Sequence, residues 1–267
     1  TAAFAIIVAG IIETQGMDGL FLATIMAGVL LVLMGLLRVG SLIKYIPYTI
    51  TTGFTCGIGV SLLVGQIKDF LGLQMGSVPS EFIEKIIAYV KNISSISWIT
   101  LAIGALSIII LVLLPKLSQK IPASLVAIIV ATALVKLLDL PVATIGSVFG
   151  SLSSKFPTPS LPSVNFEMIK NLISPAFTIA LLAGIESLLS CVVSDSMIGD
   201  KHNSNAELVG QGIGNIMSGL FGGIPATGAI ARTAANVKNG GRSPIAGIVH
   251  SIMLLLIVLL LMPLASM

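Results

Sequence analysis

The chain has 267 residues, 55% of them hydrophobic and 9% charged, with a net charge of +3 at pH 7. Soluble domains carry about 25% charged residues, so a soluble globular protein is excluded and the composition is that of a helical membrane protein. The small positive balance, with no basic run interleaved with aromatics, argues against a nucleic-acid partner.

A spanning helix needs ~20 apolar residues. In chain order, Ala2 to Ile12 is too short and reads as the end of a truncated helix, and Leu20 to Leu37 and Ile50 to Ile67 read as spans. Val78 to Asn92, with Glu81, Glu84, Lys85 and Lys91, reads as an amphipathic surface helix. Trp98 to Leu114 and Pro122 to Leu138 are the next spans. Asp139 to Asn171, rich in proline and serine, reads as a surface connection. Pro175 to Val193 and Ile245 to Leu264 complete six spans, while Leu208 to Phe221 and Thr227 to Val237 are too short or too glycine-rich to span unaided. Two subnormal segments separated by Gly222, Gly223 and Pro225 form the pattern of broken helices around a binding site. Arg38 with Lys44, Lys116 with Lys120, and Lys238 with Arg242 are consistent with cytoplasmic loops. The start at Thr1 and the end at Met267 both fall beside apolar runs, so the chain reads as an internal piece of a larger membrane domain.

The segment GGIPATGAIART, Gly222 to Thr233, concentrates the candidate chemistry. A helix start interrupted by Pro225 and Gly228 leaves backbone N–H groups without intrahelical partners, which favours an anion. At membrane depth such backbone is tolerated only where it lines a cavity or is buried in protein. Arg232 adds a fixed positive charge to the same helix start. Glu186 falls near the middle of a span, where a carboxylate costs on the order of 3 kcal/mol and must be paired, protonated or facing water. Ser190, four residues on, shares its helix face. Glu186 reads either as a substrate or coupling-ion group or as a structural carboxylate, and an internal pair with Arg232 is a further reading.

Gly53, Gly57, Gly59, Gly210, Gly212 and Gly214 read as packing positions. Gln211, Asn215 and Asn236 read as polar groups that satisfy helix ends or the broken backbone. Cys56 and Cys191 lie in apolar segments and imply no disulfide. His202 and His250 stand alone in sequence, so no metal site is expected. No phosphate loop, paired aspartates or serine with histidine supports an enzyme, and no cofactor is expected.

Two stretches carry a resemblance. Gly35 to Leu73, GLLRVGSLIKYIPYTITTGFTCGIGVSLLVGQIKDFLGL, and the region from Ala183 to Gly241, with the phrases DKHNSNAELVGQGIGN and FGGIPATGAIART, resemble the SulP family of sulfate permease and prestin-like anion transporters. The resemblance implies an all-α membrane protein with an inverted-repeat 7+7 transporter fold of the uracil-permease type. The fragment would cover roughly the third to eleventh segments, with broken helices. Core segments would occupy 1–45, gate segments 46–140, a connecting loop 141–174 and core segments of the second repeat 175–267; the cytosolic STAS domain is not expected within the chain. Gly228, Ala229, Ile230, Ala231 and Arg232 match the family's anion-binding helix start. Glu186 and Ser190 match positions that hold a coupling ion. Ile230 replaces a threonine, and glutamate replaces aspartate at 186, relative to sodium-coupled members, which points to a proton.

The function implied is secondary active transport of a small inorganic oxyanion, sulfate by default, by alternating access and proton-coupled symport. Sodium-coupled bicarbonate transport is the alternative within the family; a passive anion channel and a nucleobase permease are alternatives outside it. The partners implied are sulfate or bicarbonate, H+ or Na+, the lipid bilayer and a second copy in a homodimer. The expected location is the bacterial plasma membrane, crossed many times.

Overall fold

The structure, a computed structural model, describes residues 4–265 except 46, 47, 77, 80, 119, 120, 151–155, 157, 161 and 164. Thr1, Ala2, Lys120 and Met267, named above, lie outside the described residues. The helices are α1 (Ala5–Leu36), α2 (Tyr48–Leu71), α3 (Phe82–Lys91), α4 (Trp98–Leu117), α5 (Ala123–Leu137), α6 (Ile145–Phe149), α7 (Phe166–Ile198), α8 (Ser204–Leu220), α9 (Ile230–Lys238) and α10 (Ile245–Ala265). A 3-10 helix, Val39–Tyr45, follows α1. Each of the six sequence-read spans falls on one of α1, α2, α4, α5, α7 and α10. By length and apolarity Ile7–Leu36, Trp98–Leu117 and Phe166–Ile198 can each cross a membrane, among the described residues. At 15 residues, α5 is shorter than its expected span; at 1.5 Å per residue it reaches about 22 Å, against a hydrocarbon core of about 30 Å.

Two boundaries differ from the sequence reading. The first short segment and the first span are joined in α1, broken only at Gly16, whose φ of 68° and ψ of −169° belong to a region open to glycine alone. The region read as a connection up to Asn171 is partly helical. Asn165 caps α7 by accepting the Met168 N–H on Oδ1 at 2.6 Å, so the helix begins at Phe166 and Pro175 lies inside it. A side-chain cap starts a helix that composition alone reads as loop, and a proline is tolerated in a membrane helix where neighbours satisfy the freed carbonyl.

The chain divides into two compact units, Thr1–Ile58 with Phe156–Ile252, and Gly59–Lys155 with Met253–Met267. In the first, α1 packs against α8 and α7. Leu20, Ala23, Ala27 and Leu31 of α1, Leu172, Ile179, Ala180 and Ala183 of α7, and Leu208 of α8 form its core. Thr24 is fully buried there and donates its hydroxyl back to the Leu20 carbonyl at 2.8 Å, which removes the cost of an unpaired hydroxyl in an apolar core.

Small residues set the closeness of α1 to α8. A Cβ at Gly28 would stand 2.6 Å from the Gly212 carbonyl, and a Cβ at Gly212 would stand 2.6 Å from the Gly28 carbonyl. Gly35 meets the Asn205 carbonyl and Gly219 the Phe21 carbonyl in the same way. Of the six glycines read as packing positions, only Gly212 is a close-approach position; Gly53, Gly57, Gly59, Gly210 and Gly214 have open space where a Cβ would point. Spacing alone cannot tell which face of a glycine-rich helix meets a neighbour. Gly212→Val should therefore separate α1 from α8 at a cost of about 1–3 kcal/mol, seen as a lower thermal midpoint in detergent, while Gly210→Ala should leave it in place.

In the second unit α4 packs against α5, and Phe70 of α2 fills the notch left by Gly104 of α4. Ser97 caps α4 and donates its own N–H to the Leu71 carbonyl at 3.0 Å, tying the start of α4 to the end of α2. On α3, Tyr89 is buried while Ile83, Ile87 and Val90 are exposed, an apolar stripe on a short charged helix as the sequence suggests.

Candidate anion site

The segment leading into α9 is built as an extended strap held by α7 and α8. Asn215, fully buried on α8, holds Ala226 at both ends of its peptide: it accepts the Ala226 N–H on Oδ1 at 2.9 Å and donates from Nδ2 to the Ala226 carbonyl at 2.9 Å. Gln211 donates to the same carbonyl from Nε2. Ser218 holds the Ile224 carbonyl at 2.8 Å. From α7 the Ala183 carbonyl accepts the Thr227 hydroxyl at 2.9 Å, and Ser187 Oγ accepts the Gly228 N–H at 3.3 Å. Irregular backbone inside a membrane protein needs this satisfaction, because no water replaces a missing partner.

Gly228 sits where α7 leaves little room for a side chain. A Cβ there would lie 3.1 Å from Ser187 Oγ, 3.2 Å from Ser187 Cα and 3.2 Å from Ser190 Cβ. Beyond it Ala229 is extended, with no side-chain cap, and the first intrahelical bond runs from the Thr233 N–H to the Ala229 carbonyl at 2.9 Å. The amides of Ile230, Ala231 and Arg232 are thus the open donors of the first turn. Arg232 is the third helical residue, and its side chain is exposed.

The coupling candidates separate. Ser190 is buried and donates to the Thr233 hydroxyl at 2.6 Å, which ties α7 to the first turn of α9. Glu186 is half-buried, with no hydrogen bond or ion pair among the described residues. An internal pair between Glu186 and Arg232 is absent; the ion pair present among the described residues joins Asp195 Oδ2 to His202 Nδ1 at 2.7 Å. His202 is therefore not isolated: its other nitrogen lies 2.8 Å from Ser204 Oγ, so the ring joins the end of α7 to the start of α8. No cluster of three metal-ligating side chains occurs among the described residues.

Sequence reasoning placed the strap, Gln211 and Asn215 correctly but passed over Ser187, Thr227, Thr233 and Glu207. One signal was present. Glu207, Gln211 and Asn215 recur every four residues and so share one face of α8, and Ser187 with Ser190 share one face of α7.

All 267 positions match the family model described as the sulfate permease family, residues 1–267. The chain belongs to the sulfate permease family. Among its relatives, a protein called a putative sulfate transporter, YvdB, from Bacillus subtilis is 41% identical over 100% of this chain and 50% of its own. A bicarbonate transporter, BicA, from Synechocystis is 33% identical over 95% of this chain and 45% of its own. The chain thus spans about half the length of the curated relatives it matches. The solved transmembrane domain of a cyanobacterial BicA superposes with a TM-score of 0.86 at 30% identity, over 99% of this chain and 68% of that one. This sulfate permease family chain is an all-α, multi-pass integral membrane protein with the 7+7 inverted-repeat fold, of which it forms part.

Proposed function

We propose that this chain carries the anion site of a secondary active transporter that takes up sulfate by alternating access, in symport with protons. The observation that carries the reading is the first turn of α9: three amides open to a ligand, at a strap pinned by Asn215 and Gln211 so that the donors are fixed before the ligand arrives. Preorganised donors hold an oxyanion without a cation in contact, which a site that must also release its cargo requires. Arg232 supplies positive potential from the side exposed to solvent, and Glu186, unpaired, is available to take up a proton. The second reading is sodium-coupled bicarbonate uptake, favoured by the likeness to a bicarbonate transporter.

The complete protein in proteoliposomes separates the two. Labelled sulfate should accumulate under an inward proton gradient and fail to accumulate under a sodium gradient alone; bicarbonate accumulation driven by sodium would replace the first reading with the second. Accumulation of neither, with equilibration only, would mark a passive channel. Arg232→Ala should weaken anion affinity about two- to fivefold, the range for an exposed charge, and leave the driving ion unchanged; a change in the driving ion would remove Arg232 from the anion role.

A further inference from the structure

A carboxylate outside the motif-matched set is wired to the same helix start. Ser187 Oγ has three neighbours within hydrogen-bonding distance: Gln211 Oε1 at 3.0 Å, Glu207 Oε1 at 3.1 Å and the Gly228 N–H at 3.3 Å. The Gln211 amide is oriented by its Nε2, which donates to the Ala226 carbonyl, so the oxygen must face Ser187. A serine hydroxyl has one proton and two lone pairs. The Gly228 N–H occupies one lone pair. The single serine proton can serve Gln211 or Glu207, not both. With Glu207 ionised, two acceptor oxygens face one donor and one contact is left unmade; with Glu207 protonated, its O–H fills the second lone pair of Ser187, the serine donates to Gln211, and every contact is satisfied.

We propose that Glu207 is a proton site that sets anion affinity by acting through Ser187 and Gln211 on the strap and first turn of α9. The proposal rests on the anion reading of that turn. The carboxyl stands in the first turn of α8. From α7 the Cys191 thiol interacts with it, and Asp195, beside the same thiol, is held by His202. From α1 and the 3-10 helix the close-approach residues against α8 are the uncharged Gly28, Gly35 and Gly40. Arg232 of α9 forms no ion pair with Glu207.

Loss of the proton to solvent places a negative charge behind the anion-binding turn and withdraws the serine proton from Gln211, loosening the pin on Ala226. Both effects weaken anion binding as pH rises. By linkage, a bound anion strengthens proton binding at Glu207 by the same factor.

The test uses full-length protein and labelled sulfate binding from mildly acid to mildly alkaline pH. Wild-type affinity should fall about tenfold as pH rises, the worth of one hydrogen bond to a charged group. Glu207→Gln, whose amide N–H donates to Ser187 at every pH, should hold the acid-side affinity throughout. Ser187→Ala should lower the acid-side affinity and shrink the pH dependence to the part carried by the charge of Glu207 alone. A wild-type pH profile in Glu207→Gln would overturn the proposal. If sulfate does not bind at any pH, the anion reading itself fails; the infrared band of the protonated carboxyl in anion-free protein then tests Glu207 separately, supporting the proton site if the band is lost in Glu207→Gln and refuting it if the band is unchanged.

Discussion

Gly228→Val should abolish anion uptake while leaving the helices folded. The Cβ alone would lie 3.2 Å from Ser187 Cα and from Ser190 Cβ, and a branched side chain adds two more carbons against α7. The strap would have to move away from Ser187, losing the Gly228 N–H contact and displacing the amides of Ile230, Ala231 and Arg232. Misplacing a preorganised site by about 1 Å costs on the order of a hundredfold, so uptake should fall by about that factor or more. Helical content by circular dichroism should be unchanged, because Asn215 still clamps Ala226. Gly228→Ala should lie between, since each contact needs only a few tenths of an ångström of relief. Wild-type uptake in the valine variant would show that this backbone does not touch the transported ion.

Glu186→Gln should eliminate accumulation against a gradient while permitting equilibration and anion exchange. The carboxyl is half-buried and unpaired, so the isosteric amide removes a titratable group without breaking any contact seen in the fold. A structural carboxylate would behave differently: its loss would lower thermal stability and leave accumulation driven by pH intact. Measuring both quantities in proteoliposomes therefore decides between the two roles. The glutamine variants at 186 and 207 should also differ from each other, the first failing in coupling and the second in the pH dependence of affinity.

The sequence by itself determined that this is a helical membrane protein, where its apolar spans lie, and which segment breaks the pattern. These are local properties: an apolar run of sufficient length has few alternatives to a spanning helix, and Gly222, Gly223 and Pro225 interrupt periodicity wherever they stand. The segment around Gly228 was legible for the same reason, as was Asn215, since an amide at membrane depth must find a partner. The tertiary structure alone decided the partners. Which glycines face a neighbour depended on the rotation of α8 against α1, so Gly28 and Gly212 meet while Gly210 and Gly214 do not. That Glu186 and Arg232 stay apart, that His202 closes onto Asp195, and that Glu207 reaches Gly228 through Ser187 are consequences of how α7, α8 and α9 lie together. A hydrogen bond is fixed within a few tenths of an ångström and within a narrow range of angle, and no one-dimensional spacing carries that precision between helices that are distant in the chain.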